Sequence, residues 1–185
     1  HSAGVRRQHC GARGKKADCQ CAVSAHYVSP KGHCPLDLRL YLPEVWLGDE
    51  ARLDRAGVPE PGRRMLTKGQ IALELLDRVR GEGLPGGVVL ADAGYGVSGP
   101  FRAGLTERGL HYIVGVTDEM AAFAEEPRWV EPKAATGGRP QRRHRLAEGA
   151  PRPVSLKELA ERTPLRKVAW REGTKGPMSG RFAWL

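Results

Sequence analysis

The sequence predicts an α/β fold built as a mixed sheet flanked by helices. Three observations carry that expectation. Two alternating segments joined by a turn make an early hairpin, a capped amphipathic helix follows, and a continuous apolar run then leads through a second helix to another apolar strand. From residue 20 onward the order is strand, strand, helix, strand, helix, strand.

In the first alternating segment, residues 20–28, Cys21, Val23, Ala25 and Tyr27 lie to one side. Ser29, Pro30, Lys31 and Gly32 then supply turn chemistry. Over residues 34–42 the alternation is cleaner, with Leu36, Leu38, Leu40 and Leu42 facing one way and Asp37, Arg39 and Tyr41 the other. Period two over that length predicts a half-buried strand paired with the first as a hairpin, and Pro43 ends it. Residues 44–66 are charged and interrupted by Gly57, Pro59, Pro61 and Gly62, which leaves a short helix near 50–56 and a loop.

Residues 67–80 carry the clearest helix signal. Thr67 and Gln70 have capping-box spacing, and Ile71, Leu75 and Val79, with Ala72 and Leu76 beside them, form one apolar stripe. Gly81, Gly83 and Pro85 stop it. Val88-Val89-Leu90-Ala91 is a continuous apolar run, as expected of a strand buried on both faces, and it ends abruptly at Asp92. Residues 99–108 predict a second helix with Ser98 as cap, Pro100 in the first turn, Phe101 and Leu105 inward and Gly109 as the stop. The next strand is 111–116.

Beyond Thr117 the character changes. Residues 125–153 are rich in Pro, Gly and Arg, a composition that suits a mobile loop better than a core. Ser155 and Glu158 repeat the capping-box spacing ahead of a short helix that Pro164 ends. Residues 167–171 and 180–185 read as strands around a turn over 173–179. No internal repeat at solenoid spacing is present.

Hydrophobic residues are 40% and charged residues 28% of the 185, which excludes a disordered tail. No apolar run approaches bilayer length, so no membrane partner is expected. The opening His1-Ser2-Ala3-Gly4 reads as a chain entered in mid-domain, and Arg181-Phe182-Ala183-Trp184-Leu185 stops inside an apolar pattern, so both ends read as cut.

Thirty Lys and Arg against twenty-one Asp and Glu give a net charge of +9. The excess is clustered. Residues 1–16 hold Arg6, Arg7, Arg13, Lys15 and Lys16 with no acid, and residues 128–145 hold six basic residues against Glu131 alone. Such clusters suit a polyanion, since Lys and Arg contacts to phosphate supply most non-specific nucleic-acid affinity. The ordinary alternative is a solvated, solubilising face.

The four cysteines, Cys10, Cys19, Cys21 and Cys34, crowd into the first fifth of the chain near His9, His26 and His33. Zinc ligation has to be weighed, and the spacing argues against it. Cys19 and Cys21 are too close for the usual knuckle and no second pair follows, so reduced thiols are the expectation.

Asp92 is the candidate for chemistry. Strand ends of an open α/β sheet converge on one edge, where ligands bind, and the glycines of Ala93-Gly94-Tyr95-Gly96 let a loop bend away and leave the carboxylate open. The competing reading is a turn former or helix cap, which Asp before Ala-Gly also favours. One carboxylate is not a metal site, because two-metal phosphoryl transfer needs several acids around the scissile phosphate.

The string Val89-Leu90-Ala91-Asp92-Ala93-Gly94-Tyr95-Gly96 resembles the second-acid motif of bacterial insertion-sequence transposases of the DDE type. Other segments resemble the same family in the same order. These are Gly4-Val5-Arg6-Arg7-Gln8-His9-Cys10-Gly11 with Gly14-Lys15 and Cys19-Gln20, then Arg39-Leu40-Tyr41-Leu42-Pro43, and later Trp170-Arg171-Glu172-Gly173-Thr174. The resemblance spans nearly the whole chain and places Cys10 and Cys19 in a pattern that is not a zinc site.

What the resemblance implies is an RNase H-like mixed sheet with flanking helices, incomplete for want of its first strand, followed by a β-rich insertion. The divisions expected are 1–118 for the partial core, 119–153 for a basic Pro/Gly-rich loop and 154–185 for the start of the insertion. The family's first acid lies upstream of the Gly-Val-Arg-Arg region and its third, a Glu in a Tyr…Arg…Glu signature, well downstream. Glu172 sits in a strand context and does not match that signature, so only Asp92 carries over, as catalytic residue and metal ligand. The intact family enzyme would hold two Mg²⁺ between its acids. This chain alone is not expected to hold them or to cut DNA.

The implied partner is transposon-end DNA, with a homo-oligomer in the intact enzyme and a cytoplasmic, nucleoid-associated location. Within such a family, Arg6, Arg7, Lys15, Lys16, Arg139, Arg142, Arg143 and Arg145 become candidate phosphate contacts. Trp170 and Trp184 could stack on a base, although strand aromatics more often belong to a core. The alternatives are a non-catalytic DNA-binding remnant and a decayed gene fragment.

Overall fold

The structure is a computed structural model that describes residues 2–84, 86–132 and 144–183. The chain divides into two compact units, His1–Gly115 and Val116–Leu185.

The first unit opens with a hairpin that the sequence patterning did not predict. β1 (Arg6–Cys10) pairs antiparallel with β2 (Lys15–Cys19) across a short 3₁₀ turn, and Gly14 closes it at φ 61°. The expected hairpin follows, as β3 (Ala22–Ser29) paired with β4 (Gly32–Leu40). The register slips between Ala25 and His26, whose partners are Asp37 and Pro35, so Leu36 is an extra residue on β4.

Two short helices come next, α1 (Glu44–Leu47), which the patterning also did not predict, and α2 (Glu50–Arg55), where Asp49 caps by accepting from the Arg52 amide. Trp46 and Leu53 are buried here with Leu42 and Val58, and Leu40 packs against them. The Trp46 indole Nε1 donates to the Val5 carbonyl at 2.9 Å, which satisfies the buried ring's polar handle and ties down the base of the β1–β2 hairpin.

α3 (Lys68–Gly81) starts at Thr67 with both halves of the capping box formed. Ile71 and Leu75 are buried against Val23 of β3. Each of these side chains contributes about 1.5–3 kcal/mol relative to exposure, so this contact is the main glue between helix and hairpin. The helix covers the face of β4 that carries Asp37 and Arg39. Arg39 pairs with Glu74 and Asp37 with Arg78, both on α3, while Leu38 on the other face is 65% exposed. The alternation is as the sequence predicts, and each face finds its own cover, since Leu40 and Leu42 on the leucine side pack with Trp46 and Leu53. Val23 and Ala25 lie opposite Arg39 and Asp37, so the small apolar residues of β3 decide which face α3 takes.

β5 (Val89–Ala91) is followed by the single turn α4 (Ala93–Gly96), by α5 (Gly99–Glu107) and by β6 (Tyr112–Val114). Ser98 caps α5 and accepts from the Phe101 amide, and Phe101 and Leu105 are buried as expected. β5 and β6 are parallel, with Leu90 opposite Ile113. That pair corrects the expectation of a strand buried on both faces, since Leu90 and Ile113 are 68% and 67% exposed. The physical reason is that β5–β6 is a two-stranded ladder with helices on one side and nothing over these two side chains among the described residues.

The α/β class therefore holds, with antiparallel and parallel pairing both present. The single mixed sheet does not, because every sheet among the described residues is two-stranded and no strand pairs with both β3 and β5.

In the second unit, β7 (Ala121–Ala122), β8 (Trp129–Val130), β9 (Arg145–Leu146) and β10 (Val154–Ser155) pair as β7 with β10 and β8 with β9. α6 (Leu156–Arg162) begins at Ser155, which accepts from the Glu158 amide. The Glu158 carboxylate turns instead to Arg162, one helical turn on. β11 (Arg166–Gly173) and β12 (Gly176–Phe182) form a longer hairpin than expected, with only Thr174 and Lys175 between them. Leu159 is the one buried apolar side chain of this unit among the described residues.

Candidate active site

Asp92 follows the last residue of β5 and is exposed. Its backbone is extended, at φ −78° and ψ 178°, and it is the N-cap of α4. Oδ1 accepts from the Gly94 amide at 2.9 Å. The expected glycine loop is thus a turn of helix, and the capping role weighed from the sequence is realised. Among the described residues Asp92 enters no ion pair, and its second oxygen has no protein donor.

Two glycines hold this turn against the end of β6. A Cβ on Gly96 would lie 1.8 Å from the Gly115 carbonyl oxygen, and one on Gly115 would lie 2.9 Å from the Ala93 amide nitrogen. No side chain fits at Gly96 without moving the backbone that presents Asp92. Arg102 of α5 adds a hydrogen bond to the Gly96 carbonyl. Sequence reasoning treated Gly96 as loop freedom, and only the approach to Gly115 reveals its packing role.

Tyr95 is the polar neighbour. Its ring packs on Phe101 at 5.5 Å and on the Val23–Ile71–Leu75 cluster. Burial raises its phenol above the ordinary 10.0, and the nearby charges of Asp92 and Cys21 raise it further.

For divalent metal the donor set falls short. No group of three or more His, Cys, Asp or Glu able to hold an ion is found among the described residues. One carboxylate with an oxygen engaged in a cap does not match the ligand set that two Mg²⁺ require, so these residues do not assemble a two-metal centre by themselves. All four cysteines are free thiols.

Of the candidate phosphate contacts, the fold brings Arg6, Arg7, Lys15 and Lys16 together on the β1–β2 hairpin, all exposed. Arg145 lies exposed on β9, in the other unit. Arg139, Arg142 and Arg143 lie outside the described residues, as does Trp184. Trp170 is half exposed and meets Phe182 edge-on at 5.7 Å. Arg13, counted in the basic cluster and not singled out as a contact, is exposed in the turn between β1 and β2. No described helix is long and apolar enough to cross a membrane.

A family described as DDE superfamily endonuclease matches residues 1–177. No curated protein and no solved structure matches the chain.

Proposed function

Because this chain belongs to the DDE superfamily of endonucleases, we propose that it is the portion of a bacterial insertion-sequence transposase that carries the second of three catalytic acids. The intact enzyme cuts and joins transposon-end DNA by metal-assisted phosphoryl transfer in the cytoplasm, as a homo-oligomer on nucleoid DNA. Asp92 is its contribution to that chemistry, as a ligand to Mg²⁺ whose partner ligands come from other segments.

The observation that carries this reading is the exposed Asp92 carboxylate at the C-terminal end of a parallel strand, with one oxygen free of protein donors among the described residues. Strand ends of α/β sheets are where ligands collect, because the loops diverge there and leave a crevice. An RNase H-like arrangement agrees with the element order. The hairpin β3–β4, the helix α3 and the parallel pair around α5 follow one another as that fold requires, and a first strand would pair between β3 and β5. The basic surfaces fit DNA as the substrate.

The chain by itself is expected to show no Mg²⁺-dependent cleavage or strand transfer on transposon-end DNA. Robust cleavage that Asp92→Ala abolishes would overturn the proposal that further acids are needed. Translating the flanking DNA in frame gives a second check, with an Asp-bearing strand upstream and a Tyr…Arg…Glu helix downstream as the expected result.

A further inference from the structure

We infer that the β1–β2 hairpin is a DNA-binding arm that lies as a two-stranded ribbon in the major groove, separate from the Asp92 site. The inference rests on the DNA-cutting reading above and deepens it.

The hairpin is unusual as a piece of fold. None of the ten residues of β1 and β2 is buried. A two-stranded hairpin is marginal in water unless a hydrophobic face or a partner supports it. Here only the base is secured. Trp46 bonds the Val5 carbonyl at 2.9 Å, Gln20 Nε2 donates to the Ala3 carbonyl at 2.7 Å, and the Tyr41 amide bonds the Cys21 carbonyl at 2.8 Å. The body grips the stem and leaves the ribbon exposed, a cost in exposed backbone that a bound partner would offset.

The register assigns the faces. Arg6 opposes Cys19, Gln8 opposes Ala17 and Cys10 opposes Lys15 on one side, where four of the six residues are partly covered. Arg7 opposite Asp18 and His9 opposite Lys16 make up the other side, and all four are exposed. Arg13 extends the charge into the turn. Arg6, Arg7, Arg13, Lys15 and Lys16 enter no ion pair among the described residues. Elsewhere in the same unit, Arg39, Arg63, Arg64, Arg78 and Arg108 are all matched with acids. Cations unpaired among the described residues, such as Lys31 and Arg55, also lie elsewhere in the unit, but five gathered on one exposed hairpin whose only acid is Asp18 point to an external anion.

Size selects among anions. Two strands about 4.8 Å apart with their side chains match a major groove about 12 Å wide. Five residues of strand span about 17 Å, roughly five base pairs at about 3.4 Å each. In this pose Arg7, His9 and Lys16 face the base edges, where guanine N7 and O6 accept, and Asp18 can accept from cytosine N4. Arg6, Arg13 and Lys15 reach the flanking phosphates.

The test titrates the full chain against a short duplex and the matching single strand at several salt concentrations, by fluorescence anisotropy. Replacing Arg7, Arg13, Lys15 and Lys16 together with alanine is expected to weaken duplex binding about ten-fold or more and to reduce the salt slope by about two, one for each of the phosphate contacts of Arg13 and Lys15. Arg145→Ala is expected to change the slope by about one at most. Circular dichroism establishes that the variant remains folded, and the double variant Arg7→Lys and Arg13→Lys, which keeps the charge, is expected to retain the slope. Dimethyl sulfate is expected to find guanine N7 protected over about five base pairs in the wild-type complex and unprotected with the alanine variant.

A wild-type chain that binds duplex while the alanine variant binds equally well with the same slope overturns the arm and leaves the function standing. Equal losses on duplex and single strand, or unprotected N7, overturn the groove placement. A wild-type chain that binds no DNA at any salt overturns both.

Discussion

At Asp92 one carboxylate is asked to cap a helix and to hold a metal, and the two roles have different signatures. The cap needs only an acceptor at Oδ1 for the Gly94 amide, 2.9 Å away. Metal ligation needs the negative charge. Asp92→Asn is therefore expected to unfold in urea within about 0.3 kcal/mol of wild type, and Asp92→Ala to lose about 1 kcal/mol. Both are expected to abolish cleavage once the remaining acids are supplied in the same chain. An Asn variant that still cleaves would leave Asp92 as a cap alone. The sequence made this residue visible because an apolar run ending in Asp is a local pattern. Tyr95 and Gly96 were not visible in that way. What matters about them is a hydrophobic cluster and a carbonyl contributed by residues distant in sequence.

Among the elements, α3 shows how far local signals reach. Thr67, Gln70 and the Ile71–Leu75 stripe fixed its start and its inner face. Its flank is organised by charge, since Asp77 and Arg108 join α3 to the end of α5 through two hydrogen bonds of 2.7 Å. The Arg108 hydrogen bonds hold the Asp77 carboxyl below its ordinary 3.8, against a smaller rise from burial and with help from the Arg108 and Arg80 charges. A carboxyl depressed in the folded state stabilises fully above its unfolded pKa and loses that contribution as pH falls through the folded value. The stability difference between wild type and Asp77→Asn is thus expected to shrink as pH is lowered from about 5 toward 2, followed by thermal melts. Both side chains are partly exposed, which limits the effect to under about 1 kcal/mol. A difference that stays flat across that range would remove the ion pair from the account of how α3 meets α5.

For the molecule as a whole, the telling feature is apolar surface left uncovered on short ladders. Leu90 and Ile113 stand side by side and Leu38 is exposed on its own strand. Contiguous apolar surface of this kind promotes association. Replacing Leu90 and Ile113 with threonine puts polar, β-branched residues that suit a strand at both positions. It is expected to reduce light scattering and hydrophobic-dye binding at micromolar concentration while shifting stability by at most about 0.5 kcal/mol. A loss of several kcal/mol would mean that these side chains are packed in solution.

Read alone, the sequence determined most of the local elements, the α/β class and the position of Asp92 at a strand end. Helix caps, turns and periodicity are written within a few residues of where they act. It missed β1 and β2 because neither has an apolar face to alternate, and it misjudged the burial of Leu90. Tertiary structure decided those points, along with the separation of β3–β4 from β5–β6. A sheet forms only where an edge finds a partner, and a side chain is buried only where another element comes to cover it. Both depend on residues far apart in the chain.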